Sequence, residues 1–284
     1  MAAKFLRKPK QLFISILVSS AALIWVGVFQ LPNNNLTVKV YDVGQGDSII
    51  IKTISNYKIL IDGGPDNKVL SYLGSDFAFW DRKIDLVILT HPHSDHLRGL
   101  IEVLKRYKVD QVWLTGAKNE TAEYQEWIET LAKIKIKIGY PKEGDLIDFG
   151  DGVRIKVLHP KKGIIDSDLN NTSIVLIVSL ANFDALLTGD ASKETQPFGN
   201  DLKDIEVLKV PHHGAKTALE SNFLKEIHPE VSIISVGERN NYGHPASETI
   251  KLLEDIGSNI YRTDKNGTVE VVSNGRDWYT KSER

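Results

Sequence analysis

The stretch Thr90-His91-Pro92-His93-Ser94-Asp95-His96 directly follows the apolar run Asp85–Leu89. It places three of the chain's eight histidines, and one aspartate, within six positions. His91 and His93 alternate, so both rings point to one side of an extended chain, and the aspartate and the last histidine follow after a turn. Imidazoles and carboxylates suit Zn, Mn or Fe, and two such ions about 3.5–4 Å apart activate water for hydrolysis. The stretch therefore predicts a site for two divalent metal ions.

The composition of the 284 residues is that of an ordinary globular protein, with 42% hydrophobic and 25% charged residues. The net charge of −2 excludes a global attraction to nucleic acid, so a nucleic-acid substrate would be held locally, by metals and a few basic side chains. The chain has no cysteine, which excludes disulfides, cysteine-ligated zinc and a cysteine nucleophile.

The N-terminal residues predict a membrane anchor. Residues 11–31 form an uncharged run that follows four basic residues, Lys4, Arg7, Lys8 and Lys10. About 20 apolar residues span a bilayer, and positive charge before the run predicts that the N-terminus stays inside. A cleavable signal peptide, which would give a secreted protein, is the alternative; its apolar core is about 7–15 residues and ends in an A-x-A-like site, which is absent here. We expect residues 1–35 to be a cytoplasmic basic stub, a transmembrane signal anchor and a linker. The remaining chain would lie outside the plasma membrane, held by a single pass.

Residues 36–284 show no second linker, so we expect one domain. Its first half is rich in strand-like runs, and strands alternate with helices in its second half. This order predicts an α+β fold, in which two mixed sheets pack face to face with helices outside. The helical spacing in the first half predicts helices over Leu97–Tyr107 and Thr121–Lys133, and the alternation of isoleucine and lysine predicts a strand over Ile134–Ile138.

Polar clusters follow several apolar strands. They are Asp62-Gly63-Gly64, Thr188-Gly189-Asp190, Pro211-His212-His213-Gly214 and Asn241-Tyr242-Gly243-His244-Pro245. Each cluster alone is typical of a surface turn, but together they suggest titratable groups that converge at one edge of a sheet. The loop Val43–Ser48 also contains two glycines, but it lacks the GxxxxGK[ST] pattern of a phosphate-binding loop.

The stretch His91–His96 resembles the HxHxDH motif of the metallo-β-lactamase fold. Further clusters occur in one order with it: Tyr41–Asp47, Ile61–Gly64, Leu187–Ala191, Pro211–Gly214 and Tyr242–Pro245. The whole set resembles the C-terminal domain of the ComEC family of competence DNA-uptake channels, over nearly all of residues 36–284. The resemblance implies an αββα sandwich of two mixed sheets. We expect a stand-alone hydrolase relative of that family, tethered by one helix and without the multi-span channel.

The resemblance also implies roles for the clustered residues. His91 and His93 would hold one metal, Asp95 and His96 the second, and Asp190 would bridge them. The family resemblance favours His213 as a further ligand.

Four other residues would act around these ligands. His212 would contact the substrate or transition state, and His244 would donate to a phosphate oxygen or the leaving group. Asp62 would orient a ligand histidine, and Asp47 would support the ligands in the same way. Asp95 would serve catalysis as well as metal binding.

One position departs from the broader fold. Many members carry a third histidine for the first metal shortly before the Gly-Asp cluster, where this chain has Asn170-Asn171-Thr172-Ser173. We assign Asn171 to this position. An amide oxygen is a harder and weaker ligand than imidazole, which shifts the preference of the site from Zn toward Mn or Mg.

The implied activity is that of a metal-dependent hydrolase: a phosphodiesterase, and most specifically a nuclease that cleaves DNA with a metal-bridged hydroxide. We expect two divalent ions, Mn or Zn with Mg possible, and contact with the membrane through residues 11–31. No obligate protein partner is evident, and no GxSxG pattern suggests a serine nucleophile. Lysines predicted near the site's rim are candidate phosphate contacts, although each alone is typical of a solvated surface: Lys161, Lys162, Lys203, Lys209 and Lys216.

Two alternatives remain open. A cell-wall phosphodiesterase of the teichoic-acid type, or a lactone hydrolase, would keep the fold and change the substrate. A membrane-tethered binding protein would keep the fold without turnover.

Overall fold

The structure, a computed structural model, describes residues 9–29, 34–161, 167–198 and 202–284, with side chains from residue 9 to 25 in the first range. The chain divides into two compact units, residues 1–33 and 34–284. In the first unit, helix α1 runs from Pro9 to Phe29. Among the described residues, no helix meets both the length and the apolarity needed to cross a membrane. The predicted basic stub of residues 1–8 and the end of the predicted membrane run, residues 30 and 31, lie outside the described residues.

The second unit contains fifteen strands and six helices among its described residues. The strands are β1 Leu36–Val40, β2 Ile49–Lys52, β3 Lys58–Ile61, β4 Lys83–Leu89, β5 Lys108–Leu114, β6 Lys137–Gly139, β7 Leu146–Asp148, β8 Val153–His159, β9 Val175–Leu180, β10 Phe183–Leu187, β11 Val207–Lys209, β12 Val231–Ile234, β13 Asn259–Arg262, β14 Val269–Ser273 and β15 Trp278–Ser282. The helices are α2 Lys68–Asp76, α3 Ser94–Arg106, α4 Ala122–Ile134, α5 Ser221–Ile227, α6 Ser247–Asp255 and α7 Thr263–Asn266.

The strands form two mixed sheets. The first has the order β15-β14-β1-β2-β3-β4-β5-β6, and the second has the order β13-β12-β11-β10-β9-β8-β7. Strands β3 to β6 run parallel, as do β10 to β13, whereas the remaining neighbours are antiparallel. Parallel neighbours end at the same edge of a sheet, so the loops that follow β3, β4, β10 and β11 are brought close together.

Apolar side chains divide the fold into four layers. In β4, Leu86 and Ile88 belong to the core between the two sheets, while Val87 and Leu89 belong to the core beneath the helices of the first sheet. A third core lies between the second sheet and helices α5 and α6. Burial on both faces explains why β4 is a nearly continuous apolar run. The predicted αββα sandwich of two mixed sheets is confirmed.

Several element boundaries differ from the sequence predictions. Helix α3 begins at Ser94, earlier than predicted, because an acidic residue in its first turn is favourable at a helix N-terminus. Helix α4 continues to Ile134, and the left-handed backbone of Lys135 (φ 52°) ends it, so the predicted strand over Ile134–Ile138 is reduced to β6. Helices α2 and α7 and strands β7 and β15 were not predicted.

Candidate metal centre

The predicted polar clusters meet at one edge of the two sheets. Asp62 follows β3, His91 follows β4, Asp190 follows β10 and His213 follows β11, and all four side chains are buried. Three groups of residues place their potential ligand atoms within 4.8 Å of one another. The first two are His91, His96 and Asp190, and Asp95, His96 and His213. The third, Asp47, Asp62 and His96, combines His96 with the two carboxylates predicted to support the ligands.

Asp190 lies at the middle of these groups. Its Oδ2 lies 3.3 Å from Nε2 of His96, 3.4 Å from Nε2 of His213 and 4.0 Å from Nε2 of His91. The backbone N–H of Asp190 donates to Oγ of Ser173 at 3.2 Å, which helps to fix the loop after β10. A carboxylate surrounded by three imidazole nitrogens occupies the place expected of a residue that bridges two ions.

Buried polar atoms in this cluster fit a metal centre. Nε2 of His96, Nε2 of His213 and Oδ1 of Asp190 are buried, and none has a hydrogen-bond partner within the described part of the chain. An unsatisfied buried polar atom is costly, and in this case nitrogen and oxygen ligands face one another. The donor set of imidazoles and carboxylates matches borderline divalent ions such as Zn and Mn, so the residues present fit divalent metal ions.

The start of helix α3 positions two further candidates. His93 is the N-cap residue with an extended backbone (φ −84°, ψ 150°), so the chain changes from strand-like to helical within the motif. Its Nδ1 lies 2.9 Å from Nε2 of His91. Asp95, in the first turn, places Oδ2 3.4 Å from Nε2 of His213. The motif therefore supplies His91 and His93 from a loop, and Asp95 and His96 from a helix.

Asp62 holds the ring of His96 in place. Its Oδ2 lies 2.8 Å from Nδ1 of His96, and the same carboxylate accepts hydrogen bonds from the backbone N–H and the hydroxyl of Thr90, at 2.8 and 2.7 Å. Asp62 adopts a left-handed backbone (φ 56°), which is strained for a residue with a side chain. These contacts are the ones that the orienting role of Asp62 requires, and the role itself stays a prediction.

Asp47 lies in a similar position behind His213, but its strongest partner was not predicted. Lys209 Nζ lies 2.5 Å from Asp47 Oδ2, and both side chains are fully buried. Oδ1 of Asp47 lies 3.5 Å from Nδ1 of His213, and this nitrogen lies 2.9 Å from the carbonyl oxygen of Ser235. The prediction that Lys209 lies at the rim is therefore wrong. A lysine within an otherwise apolar strand, Val207–Val210, was the sequence signal for a buried ion pair.

Charge is concentrated in this cluster. Burial disfavours the charged imidazole, but the carboxylates of Asp190, Asp62 and Asp95 outweigh it and raise the pKa of His96 well above its usual range. In the same way, burial is outweighed by Asp190, Asp47 and Asp95, which raise the pKa of His213 to about 9. The pKa of His91 is lowered well below its usual range by burial and by His96. The cluster thus already balances its carboxylates with positive charge, a task that a divalent cation can take over.

A cavity of about 310 Å³ opens onto this cluster. The side chains that line it include three predicted site residues from different loops, His93, His212 and His244. The rings of His212 and His244 lie 5.6 Å apart, and burial lowers the pKa of both, so both are neutral at pH 7. Other lining residues were not predicted: Gln45, Asn119, Thr121 and Asn170. Asn119 and Thr121 come from the β5–α4 loop, which contains no histidine.

The predicted amide ligand lies differently from expectation. Asn171 accepts a hydrogen bond from the hydroxyl of Ser192 through Oδ1, and it does not line the cavity. Its neighbour Asn170 does line the cavity, and Oδ1 of Asn170 is buried without a hydrogen-bond partner among the described residues. The geometry favours Asn170 as the amide that faces the centre, whereas a ligand role for Asn171 stays a prediction.

The fold and the cluster are those of a metallo-β-lactamase-type hydrolase. The sequence model of the Metallo-beta-lactamase superfamily matches residues 41–238, and the chain belongs to this superfamily. Within it, the chain is similar to competence proteins of the ComEC family. It is 27% identical to the ComE operon protein 3 of Bacillus subtilis over 93% of this chain and 36% of that protein, and 27% identical to the competence protein ComA of Neisseria gonorrhoeae over 84% of this chain and 33% of that protein. The chain thus spans about a third of these relatives' length.

A solved structure supports the same fold. The metallo hydrolase Igni18 of Ignicoccus hospitalis superposes with a TM-score of 0.51 at 16% sequence identity, covering 82% of this chain and 98% of that chain. At this identity the likeness shows the fold alone. The chain is therefore a metallo-β-lactamase-fold protein related to competence proteins, with a cluster of residues that fits divalent metal ions.

Proposed function

We propose that this chain is an extracytoplasmic phosphodiesterase that uses two divalent metal ions and cleaves DNA. The observation that carries the proposal is the convergence of three imidazole nitrogens, from His91, His96 and His213, on Oδ2 of Asp190 beside an open cavity. A purely structural metal site is closed, whereas this cluster opens onto a cavity with room for a substrate group.

The chain's residues would hold the ions from two sides. His91 and His93 would bind the first ion, and Asp95, His96 and His213 would bind the second. Asp190 would contact both, because its Oδ2 lies between the two histidine sets. When bound, two such ions supply an activated water and neutralise charge on a phosphodiester.

His212 and His244 would serve the substrate itself. Each is neutral at pH 7 because burial lowers its pKa, and each lines the cavity. A neutral imidazole has one N–H donor, which is suited to a phosphate oxygen or to the leaving-group oxygen. The backbone is left-handed at His212 (φ 46°) and at His213 (φ 52°), so the two adjacent rings point in different directions. Each ring can therefore have its own role.

DNA as the substrate rests on the relatives. The similar proteins are competence proteins, and DNA handling comes to this chain from them as a proposal. Of the lysines expected at the rim, Lys209 is buried and Lys216 pairs with Glu248 at 2.7 Å, whereas Lys161 and Lys203 are exposed. Lys162 lies outside the described residues. Contacts between phosphates and the exposed lysines would make DNA affinity fall as salt rises.

The proposed location outside the cytoplasm is supported by residues 1–31, in which four basic residues precede the uncharged run of residues 11–31. We propose that this segment anchors the chain in the plasma membrane with the domain outside. Fusion of a reporter that is active only outside the cytoplasm to the C-terminus tests this. An active reporter supports the location, and an inactive but stable fusion contradicts it.

The activity is tested with the full chain, stripped of metal and reloaded with Mn, Zn or Mg. The substrates are bis(p-nitrophenyl) phosphate and single- and double-stranded DNA, beside a His93→Ala/Asp95→Ala control. Metal-dependent cleavage of DNA that the control lacks supports the proposal. Cleavage of the small diester alone favours a cell-wall or small-molecule diester, and cleavage of neither, with metals bound, favours a lactone hydrolase or a binding protein.

A further inference from the structure

Tyr242 is an exposed aromatic residue at the mouth of the cavity. Its side chain is 72% exposed, although it lines the cavity together with His212 and His244. Its ring stacks on the ring of His244, with centroids 5.7 Å apart and planes inclined by 26°. One face of a large apolar ring is therefore presented to solvent directly beside the candidate active site.

The loop that carries Tyr242 is fixed by the side chain of Asn240. The amide nitrogen of Asn240 donates to the carbonyl oxygens of Gly237 and His244, at 3.0 and 2.7 Å. The amide oxygen of Asn240 accepts from the backbone N–H groups of Tyr242 and His244, at 3.2 and 3.0 Å. One side chain thus makes four hydrogen bonds within the eight residues from Gly237 to His244, and it sets the positions of Tyr242 and His244 relative to each other.

A row of rings leads from the metal centre to the mouth of the cavity. The ring of His213 lies 6.4 Å from the ring of His244, and the ring of His244 lies 5.7 Å from that of Tyr242. A phosphate held at the centre would therefore carry its nearest substituent past His244 toward Tyr242. The surface that this substituent meets is the face of an aromatic ring, because the polar atoms of Asn240 are used within the loop.

We propose that Tyr242 stacks on a nucleobase adjacent to the phosphate that the centre binds. The proposal rests on the proposed function and deepens it, because it identifies the substrate as a nucleotide-containing phosphodiester. Every nucleobase has a flat π-face, so stacking on tyrosine tolerates any sequence. The Asn240 amide beside the ring has no hydrogen-bonding capacity left for a sugar hydroxyl, so a sugar or polyol substituent is the alternative that the test must separate from a base. Stacking of one base is expected to change affinity by about tenfold or more.

The test compares two phosphate monoesters, which have no diester bond to cleave. Thymidine 5′-monophosphate and methyl phosphate carry the same phosphate group, and only the first carries a base. Their dissociation constants for the metal-loaded full chain are measured by calorimetry, with glucose 1-phosphate as a sugar probe. We expect the chain to bind the nucleotide about tenfold more tightly than methyl phosphate, and Tyr242→Ala to abolish this preference. Tyr242→Phe should keep it, because it retains the ring.

Tyr279→Ala is the matched control, since Tyr279 is another exposed tyrosine (55% exposed) on the edge strand β15. It should keep the preference in full. Equal binding of nucleotide and methyl phosphate by the unmodified chain, or a preference that survives Tyr242→Ala, would overturn the proposal. If the chain instead bound glucose 1-phosphate more tightly than the nucleotide, and this preference depended on Tyr242, the proposal of a nucleobase would be overturned in favour of a sugar. Failure of the proposed diesterase activity is seen separately, in the hydrolysis assay, and leaves this binding comparison intact.

Discussion

Oδ2 of Asp62 and Nδ1 of His96 lie 2.8 Å apart, and both side chains are fully buried. With its Nδ1 proton directed at this carboxylate, His96 turns Nε2 toward Asp190, 3.3 Å away. A carboxylate behind a ligand histidine fixes the tautomer and orientation of the ring and makes it a better ligand. Asp62 would thus act on a bound metal by orienting His96.

Asp62→Asn should weaken metal binding. The carboxylate accepts three hydrogen bonds, two from Thr90 and one from His96, and asparagine replaces one of its two oxygens by an amide nitrogen, which cannot accept. We expect the affinity for Zn or Mn to fall about 10- to 100-fold, as measured by competition with a chelator. Asp255→Asn, at an exposed carboxylate, is the control and should bind as the unmodified chain does. Unchanged affinity in Asp62→Asn would show that His96 does not bind metal through Nε2.

Lys209→Met should destabilise the fold. It removes the lysine that pairs with the fully buried Asp47, which among the described residues has His213 as its other cationic partner at ion-pair distance. Breaking a buried pair on one side costs about 3–5 kcal/mol, because the remaining charge stays buried. We expect a loss of this size in urea denaturation of the metal-free protein.

The double variant Lys209→Met/Asp47→Asn should recover part of that loss, since it leaves no unpaired carboxylate. Lys251→Met removes one partner of an exposed ion pair and should leave the denaturation midpoint unchanged. If Lys209→Met is as stable as the unmodified chain, then Asp47 is not held as a buried carboxylate.

The variants Asn170→Ala and Asn171→Ala should distinguish the roles of the two neighbouring amide side chains. Asn170 faces the cavity with a buried oxygen, so its removal should lower metal affinity, by about tenfold. Asn171 accepts a hydrogen bond from Ser192, so its removal should cost about 1 kcal/mol of stability and leave metal affinity unchanged. Chelator competition and urea denaturation measure the two effects. The reverse pattern would restore Asn171 as the ligand.

Metal binding should release protons. In the metal-free protein the carboxylates keep the pKa of His96 well above its usual range and raise that of His213 to about 9, so both rings are protonated at pH 7. An imidazole ligand must be neutral, so each ring loses its proton when a metal binds. Apparent metal affinity should therefore rise with pH up to about pH 9.

Calorimetry of metal binding at pH 7, in buffers of different ionisation enthalpy, counts the protons released. We expect up to two, one from each ring. A heat of binding that does not depend on the buffer, together with an affinity that is flat from pH 6 to 9, would contradict the participation of these histidines.

Much of the centre was predictable because its residues follow apolar strands. Parallel strands end at one edge of a sheet, so Asp62 lies near His91, and Asp190 near His213, once the strands are paired, and packing of the two sheets brings the two pairs together. The sandwich itself was predictable from the order of strand-like and helical segments. These predictions depend on periodicity and on the chain's local order, which a sequence displays directly.

The remaining features depend on side-chain direction. The strand pattern did not reveal that Lys209 turns inward to Asp47, since that requires knowledge of a carboxylate 162 positions earlier in the chain. The choice between Asn170 and Asn171 is set by one short helical turn, Leu169–Thr172, which rotates neighbouring side chains apart. The exposure of Tyr242 likewise follows from the hydrogen bonds of Asn240, which no periodicity encodes.

The central claim is that the cluster around Asp190 holds two divalent ions. The direct measurement is metal stoichiometry, by equilibrium dialysis of the full chain against Zn or Mn followed by elemental analysis. We predict two ions per chain in the unmodified protein and no more than one in Asp190→Asn, with circular dichroism showing that the variant is folded. Fewer than one ion in the unmodified chain, or two ions in Asp190→Asn, would contradict the claim.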